Sequence, residues 1–332
     1  MQTKRPATIR DVAQAAGVST ATVSKFINRL QRFSPEVEAR IRTAVDTLGY
    51  RQNPAARSMV TGQTRTVGLA IQDVRNPHFA NIVKGANRVA LAHDYSLLVI
   101  DIEENPSGER ALLEALSRRV DGLIVSSRIP EESIDWLAEI GKPVVFFGRL
   151  LRLGIPCVRS DGYQAAYMLG RHLVELGMQR IAYVGFVRAR WNSERLHGLT
   201  DALAEANLTP IVHEIEAPTL EAGERAASSV LLGGPRPEAV VGYNDLVTLG
   251  LMHEAQALGL RIPEDVAMAG FDDIPVARYM QPPLTSVDMR SEQQGEAAMN
   301  RLLTAIAREE GDSDVLLEPR LIPRASTRRP LD

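Results

Sequence analysis

The sequence predicts an α/β protein: an all-α domain at the N-terminus, followed by a larger body of two subdomains, each a parallel sheet flanked by helices. Three observations lead to this prediction. A chain of 332 residues is longer than a single hydrophobic core usually serves. Its first fifty residues carry helix caps and helical periodicity without a strand pattern. From Thr66 onward, short β-branched apolar runs alternate with helical stretches, as in βαβ units.

Three short helices are expected in the N-terminal domain, over about residues 9–16, 20–28 and 35–48. Each follows a residue whose side chain can cap a helix, and each carries apolar residues at helical spacing. The N-caps are Thr8 (with Asp11 three residues later), Ser19 and Ser34 (followed by Pro35), and Gly17 and Gly49 end the first and third helices. The tight Gly17-Val18 corner therefore predicts a helix-turn-helix unit.

The second helix of such a unit is held out from the domain and can enter the major groove of DNA. Its outward residues are Thr20, Ala21, Ser24, Lys25 and Asn28. Hydroxyls suit phosphate oxygens, a methyl suits the thymine methyl, and an ammonium suits guanine acceptors. The alternative is an ordinary solvated helix face. Charge favours the DNA interpretation, because residues 1–64 hold ten Lys or Arg against four Asp or Glu in a chain of net charge −3.

A fourth, short helix is expected between the N-terminal domain and the body. Asn53-Pro54 can start it and Gly62 can stop it, which leaves about eight helical residues. So short a helix is marginal in water without a partner, so we expect a hinge that folds on binding. Ala56 allows close approach of a second copy, and Met59 can wedge between base pairs in a minor groove. The alternative is a flexible linker with Met59 packed on the body.

The body contains two series of strand-like runs separated by helical stretches. The first series is TVGLAI, SLLVID, GLIVSS and PVVFFG, with helices expected at ERALLEALSRR and EESIDWLAEIG among others. The second series is RIAYVG, PEAVVGY and DVAMAGF. Two such series predict two parallel sheets, and we expect the chain to cross between the subdomains near Asp161, Asp288 and Arg320.

Ligands of parallel sheets bind beyond the carboxyl ends of the strands. The residues that follow the strands, and are expected to point into one cleft, are Arg149, Trp191, Arg195, Asn244 and Asp272. Asn, Asp and Arg can form paired hydrogen bonds with hydroxyls or a carboxylate, and Trp can lie against a sugar ring. As alternatives, Asn244 and Asp272 could be helix N-caps, Trp191 a core residue, and Arg149 the partner of a surface acid.

The stretches IRDVAQAAGVSTATVSKFIN and GYRQNPAARSM together resemble the N-terminal signature of the LacI/GalR family of bacterial transcriptional regulators, and the similarity extends through the chain. The resemblance implies that Thr20, Ala21 and Lys25 contact DNA bases. It implies that four other residues contact phosphates or cap the helix, namely Ser19, Thr22, Ser24 and Asn28. It also implies that a hinge helix begins at Asn53 and places Ala56 and Met59 at the minor groove. The family usually has Arg at position 25 and Leu at position 59. Lysine lacks the bidentate fork of arginine, so guanine discrimination is expected to be softer.

The resemblance also implies a periplasmic-binding-protein-like body, with Phe79, Arg195, Asn244 and Asp272 at effector-contacting positions. The expected domains are residues 1–50 for DNA binding, 51–64 for the hinge, and 65–332 for effector binding and dimerisation. Within the last, we expect one subdomain over about 65–161 and 289–320, and the other over about 162–288 and 321–328.

Rival classes find little support in the sequence. No G-x-G-x-x-G follows the first strand, and no phosphate-binding loop or G-x-S-x-G elbow exists, so no enzyme or nucleotide cofactor is expected. The six histidines lack ligand spacing, so no metal site is expected. A solute-binding protein would need a signal segment, and no membrane span is recognisable, so a cytoplasmic protein is expected. Cys157, the single cysteine, has mostly apolar flanks and is expected to be an inert buried thiol.

The sequence thus predicts a homodimeric transcriptional regulator that binds an operator in double-stranded DNA and is controlled by a small molecule in the cleft. A repressor of carbohydrate or sugar-acid genes is expected, because Arg149, Arg188, Arg190 and Arg195 form an arginine-rich edge that favours an anionic ligand. The alternative is a regulator that responds to a purine or another metabolite. The C-terminal RLIPRASTRRPLD lacks heptads, so no helical bundle for tetramerisation is expected.

Overall fold

The computed structural model describes Arg5 and residues 7–28, 30–51, 58, 61–189, 191–309 and 314–328. The chain divides into two compact units, residues 1–66 and 67–332. The first unit is helical. The second is built on two six-stranded sheets.

The N-terminal unit contains α1 (Ile9–Ala16), α2 (Thr20–Ile27) and α3 (Pro35–Leu48). A reciprocal pair of bonds caps α1, in which the Thr8 hydroxyl accepts from the Asp11 amide and the Asp11 carboxylate accepts from the Thr8 amide. Left-handed Gly17 ends α1 (φ 64°), which permits the tight corner before α2. The three helices bury one small core of Val12, Ala13, Ala16, Val23, Ile41 and Ala44.

Two details of this unit differ from the predicted pattern. Helix α2 ends at Ile27, and Asn28 is its C-cap. The apolar stripe of α3 buries Ile41 and Ala44, whereas Leu48 is 39% exposed at the last turn, where no other helix covers it. Within the expected hinge, the described part includes a helical hydrogen bond from the Gly62 amide to the Ser58 carbonyl (2.9 Å).

The first sheet of the body has the strand order β11-β5-β4-β3-β1-β2. Its strands are β1 (Thr66–Ile71), β2 (Ser96–Asp101), β3 (Leu123–Val125), β4 (Val144–Phe147), β5 (Cys157–Ser160) and β11 (Val315–Leu317). The pairs β1–β3, β3–β4, β4–β5 and β5–β11 are parallel. Buried strands such as β3 and β4 are apolar on both faces because helices cover both sides of the sheet.

The second sheet repeats this plan with the order β12-β10-β9-β8-β6-β7. Its strands are β6 (Ile181–Gly185), β7 (Ile211–Glu214), β8 (Ala239–Gly242), β9 (Ala267–Phe271), β10 (Thr285–Asp288) and β12 (Arg320–Ile322). The pairs from β7 through β10 are parallel, and β12 is antiparallel to β10. In each sheet the strand order reverses beside the first strand, which is where doubly wound sheets bind ligands.

The helices of the body are α4 (Pro77–Ala92), α5 (Glu109–Ser117), α6 (Gly162–Glu175), α7 (Asn192–Ala204), α8 (Leu220–Leu232), α9 (Asp245–Ala257) and α10 (Ser291–Ala307). Helices α4, α5 and α10 accompany the first sheet, and α6 to α9 accompany the second. Each sheet with its helices is here called the first or second subdomain. The chain passes between them after β5, after β10, and between β11 and β12.

The expected helix at EESIDWLAEIG is absent. Residues Glu131–Ser133 and Asp135–Leu137 form two short 3₁₀ turns instead. Ile134 and Leu137 are the buried residues of these turns. The structure also contains elements that the predicted strands and helices did not include, namely β5, β7, β10, β11, β12, α6 and α10.

Candidate functional site

A cavity of about 150 Å³ lies between the two subdomains, beyond the carboxyl ends of their strands. One water molecule occupies about 30 Å³ of liquid, so the cavity has the scale of a small metabolite. The six residues expected at the cleft all line this cavity: Phe79, Arg149, Trp191, Arg195, Asn244 and Asp272.

Arg195 is a buried cation on the second-subdomain side of the cavity. Its side chain is 5% exposed, and its Nη1 donates to the Tyr243 carbonyl. The guanidinium lies over the rings of Tyr243 (4.9 Å) and Phe271 (4.5 Å). Its Nη2 is 3.8 Å from the Asp272 carboxylate, which supplies the compensating charge that a buried cation needs. The Arg195 Nε has no hydrogen-bond partner among the described residues.

Asp272 follows β9 in a strained backbone conformation, with φ at +105°. Its position differs from that of a helix N-cap, because it starts no α-helix and its carboxylate points at the cavity. The His78 Nδ1 is 3.5 Å from Asp272 Oδ1 and 2.8 Å from the Ser291 hydroxyl. Burial lowers the pKa of His78, and the nearby Arg195 adds to this effect while Asp272 opposes it. The His78–Asp272 contact is therefore dipolar at neutral pH rather than an ion pair.

Asn244 is the N-cap of α9 and also lines the cavity. Its Oδ1 accepts from the Val247 amide (2.9 Å), and its Nδ2 donates to the Pro218 carbonyl (3.1 Å). Both polar atoms of the Asn244 side chain therefore stabilise the turn between β8 and α9. Behind it, Asp245 is fully buried and accepts from the Ser286 hydroxyl, and burial raises the pKa of Asp245 well above its ordinary value.

Four aromatic side chains form apolar walls of the cavity: Phe79, Phe147, Trp191 and Tyr243. Phe79 is buried at the first turn of α4, held by the Asn76 cap of that helix. Trp191 is half-buried, and its indole Nε1 donates to the Tyr243 hydroxyl at 2.5 Å. This bond fixes the plane of the indole, so the walls are ordered before any ligand binds.

Arg128 is the most prominent cavity residue absent from the sequence expectations. It follows β3, and its side chain is 6% exposed. Glu104 accepts from its Nε (2.7 Å) and Nη2 (2.6 Å) in a two-pronged pair. Ligands of parallel sheets bind beyond the carboxyl ends of the strands, and Ser126–Arg128 directly follow β3. The same rule, applied to this third strand, would have identified Arg128.

Of the four arginines expected to form an arginine-rich edge, Arg149 and Arg195 line the cavity. Arg188 is exposed, donates to the Glu216 carbonyl and does not line the cavity, and Arg190 lies outside the described residues. Arg149 lines the cavity but is exposed.

The cavity is close to charge balance among the residues that the structure describes. Arg128 pairs with Glu104, and Arg195 lies beside Asp272. Arg159 pairs with Glu194 at 3.4 Å. Arg149 is the cavity arginine with no ion pair in the described part of the chain.

The N-terminal unit presents a second candidate surface on α2. Thr20, Ala21 and Lys25 are exposed side by side on its outward face. Lys25 Nζ is 3.2 Å from the Gln31 side chain, an exposed contact that a phosphate or base could replace. Because Val23 is fully buried at the centre of the helix, the outward register of these three residues is fixed.

The other predicted residues of α2 have structural bonds. Ser19 is the N-cap, and its hydroxyl accepts from the Thr22 amide (3.1 Å) and contacts the Thr22 hydroxyl (2.8 Å). Asn28 donates to the Ser24 carbonyl (2.9 Å), and both residues are half-buried. Asn53, Ala56 and Met59 of the expected hinge lie outside the described residues.

Within the described ranges of the chain, no group of three or more His, Cys, Asp or Glu side chains is arranged to hold a metal ion. No helix within those ranges combines the length and apolar character that crossing a bilayer requires.

Two family models match the chain. Residues 8–53 match the model of bacterial regulatory proteins of the lacI family, and residues 171–327 match a periplasmic binding protein-like domain. Among curated proteins, the chain is 32% identical over 329 residues to an HTH-type transcriptional repressor PurR of Edwardsiella ictaluri, covering 96% of both chains. It is 33% identical over 331 residues to the repressor of the same name from Erwinia tasmaniensis, again covering 96% of both.

Solved structures give the same picture. The lac repressor dimer bound to operator and the anti-inducer ONPF superposes with a TM-score of 0.87 at 25% identity, covering 97% of this chain and 99% of that one. The complex of transcriptional regulator CelR with cellobiose gives a TM-score of 0.73 at 28% identity, covering 96% and 99%.

Proposed function

Because the chain belongs to the LacI family of bacterial regulatory proteins, we propose that it is a homodimeric repressor whose hold on its operator is set by a small molecule in the cleft. At the level of the family the chain is a DNA-binding transcriptional repressor, and members of the family are regulators rather than enzymes. A repressor of this kind meets its DNA target in the cytoplasm, which is the location that we propose.

On the DNA side, each protomer inserts α2 into a major groove. Thr20, Ala21 and Lys25 contact base edges, while Ser19, Thr22, Ser24 and Asn28 position the helix or contact phosphates. The hinge, residues 51–64, places Ala56 and Met59 at the minor groove with Asn53 as the helix cap. Residues 1–50 form the DNA-binding domain, and residues 65–332 bind effector and dimerise. The exposed outward face of α2 supports this arrangement.

The effector that the cleft suits best is a neutral oxopurine. The observation that carries this choice is the pairing of the buried arginines with carboxylates, while N–H groups of Arg128 and Arg195 remain without acceptors. A neutral carbonyl oxygen or ring nitrogen satisfies such donors without adding charge to a balanced site. The aromatic walls of Phe79, Trp191 and Tyr243 suit a flat ring.

The sugar or sugar-acid effector expected from the sequence is less well supported. The repressor name that the curated relatives carry, PurR, favours the purine alternative. The argument for an anion rested on four arginines, and of these only Arg149 is in the cavity without a carboxylate partner within the described part of the chain. A sugar acid remains a second candidate because Arg149 could receive its carboxylate.

The ligand acts by binding the open and closed geometries of the cleft with different affinities, since equal affinity for both would leave their populations unchanged. The cavity is lined from both subdomains, so filling it changes the free energy of closure. A coupling of about 1–3 kcal/mol between effector and operator would be ordinary. In the dimer, closure changes the spacing of the two hinge segments and hence the fit of two α2 helices to two half-sites.

Calorimetric titration of the full chain with hypoxanthine, guanine, gluconate, 2-ketogluconate and glucose tests the effector class. Binding of an oxopurine, with a change in retardation of a DNA fragment from upstream of its own gene, is the expected result. Binding of gluconate or glucose without any purine would reject the oxopurine. Failure to retard any such fragment at low ionic strength, with or without these ligands, would reject operator binding itself.

A further inference from the structure

Arg128 connects the two subdomains across the cleft. It stands after β3 in the first subdomain, yet its guanidinium lies 5.3 Å from the Trp191 ring centre and 5.6 Å from that of Phe186. Both aromatic residues belong to the second subdomain. Cation–π contacts of this kind are worth more when desolvated, and Arg128 is 6% exposed.

Glu104 holds this guanidinium in one orientation. It comes from the loop after β2 in the same subdomain as Arg128, and its two oxygens accept from Nε and Nη2. The pair is rigid because a planar fork bound at two points cannot rotate. The Arg128 side chain is therefore held towards the second subdomain by Glu104 of its own subdomain.

Among the residues that the structure describes, the buried Arg128 Nη1 has no hydrogen-bond acceptor of good geometry, and the buried Ser126 Oγ, two residues earlier, has no hydrogen-bond partner. The Tyr243 hydroxyl lies close to the guanidinium and accepts from the Trp191 indole, but it forms no hydrogen bond of good geometry with Nη1. Arg128 and Ser126 both line the cavity. A buried N–H without an acceptor is unfavourable, so a ligand that brings an oxygen to this position removes that cost.

We propose that Arg128 joins the subdomains across the cleft and determines specificity by donating its free Nη1–H to an oxygen acceptor on the effector. This inference rests on the proposed function, because it assigns a residue to the recognition of the effector. An oxopurine carbonyl or an aldonate oxygen both supply the required chemistry. Closure and recognition are then coupled through one side chain, because the same guanidinium contacts Trp191 and the ligand.

The joining of the subdomains can be tested without ligand. The chain has two tryptophans, so Trp136→Phe leaves Trp191 as the single reporter. In that background, Arg128→Met should raise the acrylamide quenching constant of Trp191, because the cation that covers the ring is gone. Arg110→Met is the matched control, since Arg110 lies over the Trp136 position 5.4 Å away and outside the cavity. Equal quenching constants for the two variants would overturn the joining role.

The specificity role is tested by calorimetry with hypoxanthine, unsubstituted purine and gluconate. Arg128→Met should weaken hypoxanthine binding by about 10- to 100-fold, the usual effect of losing a charged hydrogen bond. It should leave unsubstituted purine, which lacks the carbonyl, much less affected. Arg128→Lys keeps the positive charge but lacks the planar guanidinium, so its affinity for hypoxanthine should lie between those of the parent and Arg128→Met. This second variant serves as a control for a folding defect in Arg128→Met. Equal hypoxanthine affinity in parent and both variants would overturn this role.

The outcomes separate the two proposals. A parent protein that binds gluconate and no purine would refute the oxopurine, while an Arg128-dependent loss of gluconate binding would still support the inference. A parent that binds hypoxanthine with no dependence on Arg128 would leave the proposed function standing and refute the inference.

Discussion

The sharpest test of the body concerns the packing of α4 against α10. At Gly85 of α4, an added Cβ would lie 1.9 Å from the Glu292 carbonyl oxygen of α10. The contact is reciprocal, because a Cβ at Gly295 would lie 2.0 Å from the Ile82 carbonyl oxygen. Gly85→Ala therefore introduces a methyl group where two helix backbones already touch.

The magnitude follows from the distances. Ordinary contact begins at 3.4 Å, so a Cβ at 1.9 Å requires the helices to separate locally by about 1.5 Å, the difference between these distances. Overpacking of this kind costs roughly 1–3 kcal/mol, and backbone cannot move aside like a flexible side chain, so we expect about 3 kcal/mol. The melting temperature should fall by about 6–12 °C for a domain of this size.

The same change should weaken effector binding. Helix α4 carries His78 and Phe79 into the cavity at its first turn, and α10 begins at Ser291, which contacts His78. Separating these helices displaces one wall of the site, so hypoxanthine affinity should fall together with stability.

The assay is thermal unfolding followed by circular dichroism, with Gly108→Ala as the matched control. Gly108 has an ordinary φ of −103° and open space where a Cβ would lie, so its substitution should change stability by less than about 0.5 kcal/mol. If Gly85→Ala unfolded within the error of that control, the close approach of the two helices would be wrong.

Three further predictions concern other parts of the molecule. Burial raises the pKa of Asp245, so the folded protein holds this proton more tightly than the unfolded chain and loses stability as the pH rises above the ordinary carboxyl pKa. Asparagine does not titrate, so the free energy of unfolding of Asp245→Asn, measured in urea, should increase relative to that of the parent between pH 5 and 8. A difference between the two free energies that stays constant over this range would contradict the prediction. Burial raises the pKa of Cys157 to about 11, so the native thiol should resist a disulfide reagent at pH 8 and react once urea unfolds the chain, whereas rapid native labelling would show an accessible thiolate. Lys25→Ala should weaken operator binding and make the log–log salt slope shallower by about one, and an unchanged slope would remove Lys25 from the interface.

The sequence by itself determined the local features of this protein. Helices α1 and α3 begin and end at the residues that the sequence indicated, because end signals act through neighbours within three or four positions. The Thr8 side chain caps α1, whereas the Ser34 side chain forms no capping bond and α3 begins at Pro35. The apolar runs of β1, β4 and β9 are strands because both of their faces are buried in a parallel sheet. The strand-end rule selected five dispersed residues that line one cavity, since parallel strands end at a common edge, and the family resemblance added Phe79.

Only the tertiary structure decided which charges meet. Arg128 and Glu104 are 24 positions apart, and Arg195 finds Asp272 across the second subdomain, so no local pattern shows that these arginines are already neutralised. That pairing changes the expected ligand from an anion to a neutral acceptor. The segment at residues 131–141 has helical spacing but forms two short 3₁₀ turns, from which Ile134 and Leu137 pack into the core of the first subdomain. Local propensity and caps act through neighbours in sequence, whereas charge compensation and burial depend on neighbours in space.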